Sequence, residues 1–153
     1  MTATSDASAA LAPGPGALPQ APPAPVLDLA SPADAYVFSD RAWWLDEALA
    51  GSPPDYAFGA EGVSVWAWKA HDGAERLIEA TRGVDRAIFY APGADEPFFI
   101  READGRAFGY QAGDLAAVYD TDGTASPQAD DYGGPAEAAG RLLERARMLK
   151  AYD

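Results

Sequence analysis

The carboxylates best placed for chemistry close the run Leu115-Ala-Ala-Val-Tyr-Asp120-Thr-Asp122-Gly123-Thr124. Two carboxylates two residues apart at the end of an apolar strand can project toward one divalent cation, and glycine permits the turn that follows. One of them could then attack an electrophile while the other moved a proton. Asp130 and Asp131 lie further along the same polar stretch and extend the possible cation ligands to four. Their order is not that of an EF-hand loop, since Gly123 falls at the fourth position and no Glu stands at the twelfth. A solvated acidic loop without a metal is the expectation.

The rest of the catalytic inventory is short. His71 is the only histidine and there is no cysteine, so the usual ligand sets of zinc and haem cannot be assembled. Ser64, in Gly62-Val-Ser-Val-Trp66, lacks the second glycine of a nucleophile elbow and falls within an alternating strand pattern. His71 precedes Asp72-Gly73 and reads as an exposed turn residue. Gly14-Pro15-Gly16 falls in the proline-rich start of the chain and makes no phosphate cradle. No cofactor is expected.

The Asp120-x-Asp122-Gly-Thr motif, with the apolar run before it, resembles the first motif of the haloacid-dehalogenase-like phosphohydrolases over ten of the 153 residues. The resemblance implies Asp120 as the phosphate-attacking nucleophile, Asp122 as the general acid/base, a Mg²⁺ ion beside them and a mostly parallel sheet. The chain departs from that pattern downstream. Only 29 residues follow Thr124, Lys150 is the sole lysine among them, and Asp130-Asp131 are adjacent instead of on separate strands.

The elements that would hold these residues begin after a compositional break. Residues 1 to 34 contain no Lys, Arg or aromatic residue, and seven of the thirteen prolines fall between Pro13 and Pro32. Such a segment has too little apolar content to offset its conformational entropy, so residues 1–34 are expected to be a disordered Ala/Pro tail. No basic residue precedes Arg41 and no apolar run is continuous enough for a signal sequence or a membrane span. The expected location is the cytoplasm. All seventeen aromatic residues lie between Tyr36 and Tyr152, which sets residues 35–153 as one domain.

Ala35–Phe38 reads as a short strand or extended lead-in, and Ser39 or Asp40 as the cap of a helix over Arg41–Ala50 closed by Gly51. On that helix Trp44, Leu45, Ala48 and Leu49 share a face. Trp43 and Trp44 point about 100° apart, so only one of them is expected in the core. Val63–Lys69 alternates as a strand, with Trp66 and Trp68 on one face. Residues 74–82 fit either a helix or the return arm of a hairpin through Asp72-Gly73. Ala87–Tyr90, Pro97–Arg101, Ala107–Gln111 and Leu115–Tyr119 read as four strands. Asp104-Gly105 is expected to close a two-residue hairpin that sets Phe99 opposite Tyr110 and Arg101 opposite Phe108.

Pro135 opens a last helix whose apolar stripe is Ala139, Leu142, Leu143, Ala146, Leu149 and Tyr152, with Arg141, Arg145, Arg147 and Lys150 on the opposite face. The fold class is therefore α+β: an antiparallel meander of four to five strands, a short N-terminal helix, and a C-terminal amphipathic helix on one face of the sheet.

Asp and Glu outnumber Lys and Arg by 24 to 11, a net charge of −13. That surplus opposes nucleic acid, whose binding rests on cations displacing counterions, and favours a cationic protein partner. Between Ala107 and Gly140 the chain carries Asp114, Asp120, Asp122, Asp130, Asp131 and Glu137 without one base. The expected function is a non-enzymatic interaction domain for a basic protein, of the small inhibitor, immunity, antitoxin or adaptor type. Its binding residues would be Trp43, Trp44, Asp114, Asp120, Asp122, Asp130 and Asp131. The alternatives are the Mg²⁺-dependent phosphohydrolase through Asp120 and Asp122, and a phage or assembly component that packs through its C-terminal helix.

Overall fold

The computed structural model describes residues 18–27, 29, 31–81, 84–126 and 133–153. Its first regular element is a 3-10 turn, Pro32–Ala35, in which the Ser31 hydroxyl accepts the Ala33 amide at 3.3 Å. The turn runs directly into α1, Tyr36–Leu49. Ala35–Phe38 is therefore helical at its end, not a strand, and the helix begins five residues before Arg41. The operative start signal is Ser31-Pro32, a capping hydroxyl followed by a ring that presets φ. Phe38, Ala42, Leu45 and Leu49 form the buried row, an i, i+4, i+7, i+11 series that carries the helical period back past Ser39.

Seven strands follow: β1 (Tyr56–Ala60), β2 (Val63–Lys69), β3 (Glu75–Thr81), β4 (Val84–Tyr90), β5 (Pro97–Arg101), β6 (Ala107–Gln111) and β7 (Asp114–Tyr119). They lie in chain order in one sheet, and each of the six pairings is antiparallel. Helix α2, Gly133–Tyr152, completes the chain. The antiparallel α+β meander stands, with two to three more strands than the sequence reading counted. Residues 75–81 are a strand because the Asp72-Gly73 turn returns the chain onto β2.

Alternation along the strands separates two cores. Val65, Ala67, Leu77, Ile88 and Ile100 meet Ala139, Leu142, Leu143, Ala146 and Leu149 of α2 on one face. On the other, Phe38, Ala42, Leu45 and Leu49 of α1 meet Trp68, Phe89, Phe99 and Tyr119. The hydroxyls of Tyr90 and Tyr110 donate to the Ala146 and Ala139 carbonyls at 2.8 and 2.9 Å and fix α2 over the sheet. Close approach of α1 depends on Gly109, where a Cβ would stand 2.8 Å from the Phe38 ring.

Two expectations for α2 are corrected. Tyr152, assigned to the apolar stripe, is exposed, whereas Arg145, assigned to the solvent face, is wholly buried. Arg145 lies three residues after Leu142 and four before Leu149, so the helical period itself carries it inward. Its Nε donates to Glu79 at 2.8 Å and its Nη1 to Glu61 at 2.6 Å. Arg86 bridges the other side of Glu79, at 2.9 Å, to Glu102, at 2.6 Å. One turn later Lys150 pairs with buried Glu75, which also accepts the Tyr56 hydroxyl at 2.9 Å. Burial, joined by the Asp153 carboxyl, pushes the Glu75 carboxyl up from its ordinary range despite Lys150.

The edge strand β7 is covered from the N-terminal side. Leu115 donates to the Pro25 carbonyl at 2.7 Å, the Leu27 amide returns to Leu115 at 2.8 Å, and Ala24 donates to Ala136 of α2 at 3.0 Å. Ala24 is buried in the α2 core. The part of the proline-rich stretch from Ala24 to Leu27 is thus laid on the domain, while residues 1–17 lie outside the described residues.

The hairpin at Asp104-Gly105 forms with a different loop. Phe99 opposes Gly109, Ile100 opposes Phe108 and Arg101 opposes Ala107, so Phe99–Tyr110 and Arg101–Phe108 are not partners. Glu102 donates to Arg106 at 2.8 Å and closes a three-residue loop, Ala103-Asp104-Gly105. A type I′ turn needs positive φ at two successive residues, and here Gly105 alone adopts it, at 96°. Arg101 instead lies 5.3 Å from the Phe89 ring centroid and 3.2 Å from Asp46.

Candidate functional site

Asp120 and Asp122 belong to a turn that the chain builds three times. His71-Asp72-Gly73, Ala103-Asp104-Gly105 and Thr121-Asp122-Gly123 each close through two backbone hydrogen bonds across a three-residue loop. In each the aspartate accepts the amide two residues ahead: Asp72 from Ala74 at 2.9 Å, Asp104 from Arg106 at 3.0 Å and Asp122 from Thr124 at 3.0 Å. In each the glycine takes positive φ, 94°, 96° and 89° in turn. An Asx side chain that copies a backbone turn, followed by glycine in the left-handed region, accounts for the Asp-Gly pair without a ligand.

Asp120 extends this arrangement by accepting the Asp122 and Thr124 amides at 3.2 and 3.0 Å. The hydrogen bond with Asp120, helped by Thr124, holds the Asp122 carboxyl below the usual carboxylate range. A general acid at neutral pH needs its carboxyl displaced the other way. The parallel sheet that the phosphohydrolase resemblance implies is not this sheet: β7 is an edge strand paired antiparallel to β6. Among the described residues, no three His, Asp or Glu side chains group in a way that would hold a metal ion.

The remaining acidic candidates are not brought together. Asp114 opens β7 beside the two-residue turn Ala112-Gly113, whereas Asp120 follows its other end. Five residues of strand separate them, six steps of chain or roughly 20 Å. Asp130 and Asp131 lie outside the described residues.

The tryptophan pair is placed differently from expectation. Neither indole enters the core: Trp43 is 54% and Trp44 67% exposed. The buried row through Ala42 and Leu45 occupies the sheet side of α1, and 100° per residue swings both neighbours outward. The rings meet edge to face, with centroids 4.8 Å apart. Val37, also exposed, precedes them by two turns. Asp40 stands three and four residues before the pair and Glu47 three and four after it, both exposed. Among the described residues neither acid has a basic partner, whereas Asp46, on the sheet side, takes Arg76 at 2.7 Å and Arg101 at 3.2 Å. The outer line of α1 therefore reads apolar, acid, Trp-Trp, acid.

Asp120 and Asp122 lie near the start of this line. Their turn adjoins the first residue of α1, where the Tyr36 hydroxyl accepts the Ala125 amide at 3.1 Å. Trp43 lies roughly 11 Å further along the helix at 1.5 Å per residue. The sequence reading took Asp40 only as a candidate helix cap and passed over Glu47, although their spacing from Trp43 and Trp44 already places all four on one helical face. No helix among the described residues is long and apolar enough to cross a membrane. Comparison with family models, curated proteins and solved structures finds no match to this chain.

Proposed function

We propose that the chain is a non-enzymatic interaction domain that recognises a basic protein through the outer face of α1, in the manner of a small inhibitor, immunity, antitoxin or adaptor protein. The observation that carries this reading is the exposed Trp43–Trp44 pair flanked by Asp40 and Glu47, two acids without partners among the described residues. An apolar anchor surrounded by uncompensated negative charge suits a partner that presents an apolar patch with Lys or Arg around it. The net charge of −13 adds long-range attraction for the same partner and speeds its encounter.

A pair of fluorescein-labelled helical peptides with identical apolar positions tests this, one carrying lysine and the other glutamate at the polar positions. The lysine peptide should raise its anisotropy on titration with the protein, and the glutamate peptide should not. Binding should weaken steeply with salt, since the screening length falls from roughly 30 Å at 0.01 M to roughly 3 Å at 1 M. The double variant Trp43→Ala/Trp44→Ala should abolish most of the response while changing stability by no more than about 0.5 kcal/mol, as for exposed side chains generally. Equal binding of both peptides, or undiminished lysine-peptide binding by the double variant, overturns the proposal.

A further inference from the structure

Four side chains close the end of α2 onto the sheet: Tyr56 of β1, Glu75 of β3, and Lys150 and Asp153 from the end of the helix. Glu75 is 2% exposed and the Asp153 side chain 4%. The Tyr56 hydroxyl lies against both carboxyl groups, 2.9 Å from Glu75 Oε2 and in contact with Asp153 Oδ1. The two carboxyl groups are also hydrogen-bonded to each other. Lys150 Nζ reaches Glu75 Oε1 and stands 3.5 Å from Asp153 Oδ2.

These contacts need one more hydrogen than ionised carboxylates provide. A phenol has a single hydrogen to donate and an ionised carboxyl has none. Tyr56 can therefore satisfy only one of its two neighbours, and the carboxyl–carboxyl contact has no hydrogen unless one of the pair is protonated. Burial, with both carboxyls, holds the Tyr56 phenol above its ordinary range, so it stays a donor. The other groups facing Glu75 do not supply the hydrogen. Tyr90 of β4 donates to the Ala146 carbonyl at 2.8 Å. Lys69 of β2, opposite Glu75 in register, is exposed and lies over the Tyr56 ring at 5.7 Å. Glu79 and Arg145 pair with each other.

We propose that this cluster is a proton-operated latch: Glu75 holds one proton while the end of α2 is docked, and loss of that proton to solvent expels Asp153 and frees the end of the helix. With the proton in place, Lys150 balances Asp153 alone. Without it, two buried carboxylates share one buried-side cation and repel each other. Asp153 is the one to leave, because an anion at a helix C-terminus meets the negative end of the dipole. Glu75 is fixed in β3 between β2 and β4. An acid raised in the docked state favours docking below its ordinary value, and that contribution is lost as pH rises through the raised one. Asp153 is lowered, so its own contribution lapses only on acidification, below this window. The latch lies on the opposite face of the sheet from α1 and is independent of the protein-binding reading.

The test follows the Glu75 side-chain carboxyl by ¹³C shift in the full chain from about pH 4.5 to about pH 9, the span over which buried glutamates titrate. Backbone order parameters of Tyr152 and Asp153 are measured at the same points. They should fall from about 0.85 to below about 0.6 with the midpoint of the Glu75 carboxyl. Glu75→Gln carries a neutral donor at every pH and should keep the end of α2 ordered throughout. Asp153→Asn supplies the missing hydrogen from its amide and should lower the Glu75 midpoint by about one unit or more. A Glu75 carboxyl that titrates in the ordinary carboxylate range overturns the proposal. So do order parameters unchanged across the Glu75 transition, or a Glu75→Gln chain that loosens with the native midpoint. If Glu75→Gln does not fold, the native chain and Asp153→Asn decide: a Glu75 midpoint unmoved by Asp153→Asn assigns it to burial alone and overturns the latch.

Discussion

Replacing Arg145 with alanine should lower the free energy of unfolding by about 3 to 5 kcal/mol, the range found when one partner is removed from a buried ion pair. Arg145 is wholly buried and its guanidinium serves both Glu79 and Glu61. Glu61 is about half exposed and can turn to water, but Glu79 is 1% exposed and has only Arg86 left. The cost therefore comes chiefly from a carboxylate stranded between β3 and α2. Arg147, two residues on, is an internal control, since its pairs with Glu96 and Glu144 are on the surface. Arg147→Ala should cost no more than about 1 kcal/mol. Removing both buried charges together, as Arg145→Met with Glu79→Leu, should recover most of the loss, because desolvation is then no longer demanded of either ion. Urea denaturation of the four proteins measures all of this. An Arg145→Ala variant no less stable than Arg147→Ala would mean that the network does not hold α2 to the sheet.

The same residue shows where the sequence was readable and where it was not. The spacing of Ala139, Leu142, Leu143, Ala146 and Leu149 marks the buried side of α2 without help from the structure. Arg145 falls inside that arc, yet a charge is assigned to solvent unless its partner is known, and Glu79 lies 66 residues away. Strand β3 was obscured by the same pairing. The residues it turns toward α2 are Glu75, Leu77 and Glu79, so the apolar alternation that identifies a strand is broken by the carboxylates that Lys150 and Arg145 neutralise. Turn chemistry was legible as turns but not as loop lengths. The positive-φ pairs suited to type I′ geometry occur at Glu61-Gly62 and Ala112-Gly113, where the first residue is not the usual Asp or Asn. The three Asp-Gly pairs take the longer loop, and the third of them is the turn that resembled a phosphohydrolase motif. On α1, hydrophobicity drew Trp44 toward the core, but Phe38, Ala42, Leu45 and Leu49 already fill the sheet side.

Gly140→Ala should release the N-terminal segment from β7. A Cβ at this position would overlap the Pro22 carbonyl and stand 2.9 Å from the Ala24 nitrogen, both backbone atoms that cannot swing aside as a side-chain tip can. Within the helix alone, alanine is favoured over glycine by about 1 kcal/mol. Against that gain stand three backbone hydrogen bonds, from Ala24, Leu27 and Leu115, and the burial of Ala24. At about 0.5 to 1.5 kcal/mol each, the bonds exceed the propensity gain, so the variant should be less stable by about 1 to 2 kcal/mol. Hydrogen exchange gives the sharper readout: the Leu115 and Leu27 amides should lose protection while those in β3 and β4 keep theirs. Deleting residues 1–30 should produce the same loss at Leu115, and combining deletion with Gly140→Ala should add nothing further, because both remove one contact. The deletion variant should also self-associate more readily, since β7 then presents an unpaired edge around Leu115. A more stable Gly140→Ala with full protection at Leu115 would show that the segment does not pass between α2 and β7, and the glycine would then have no packing role.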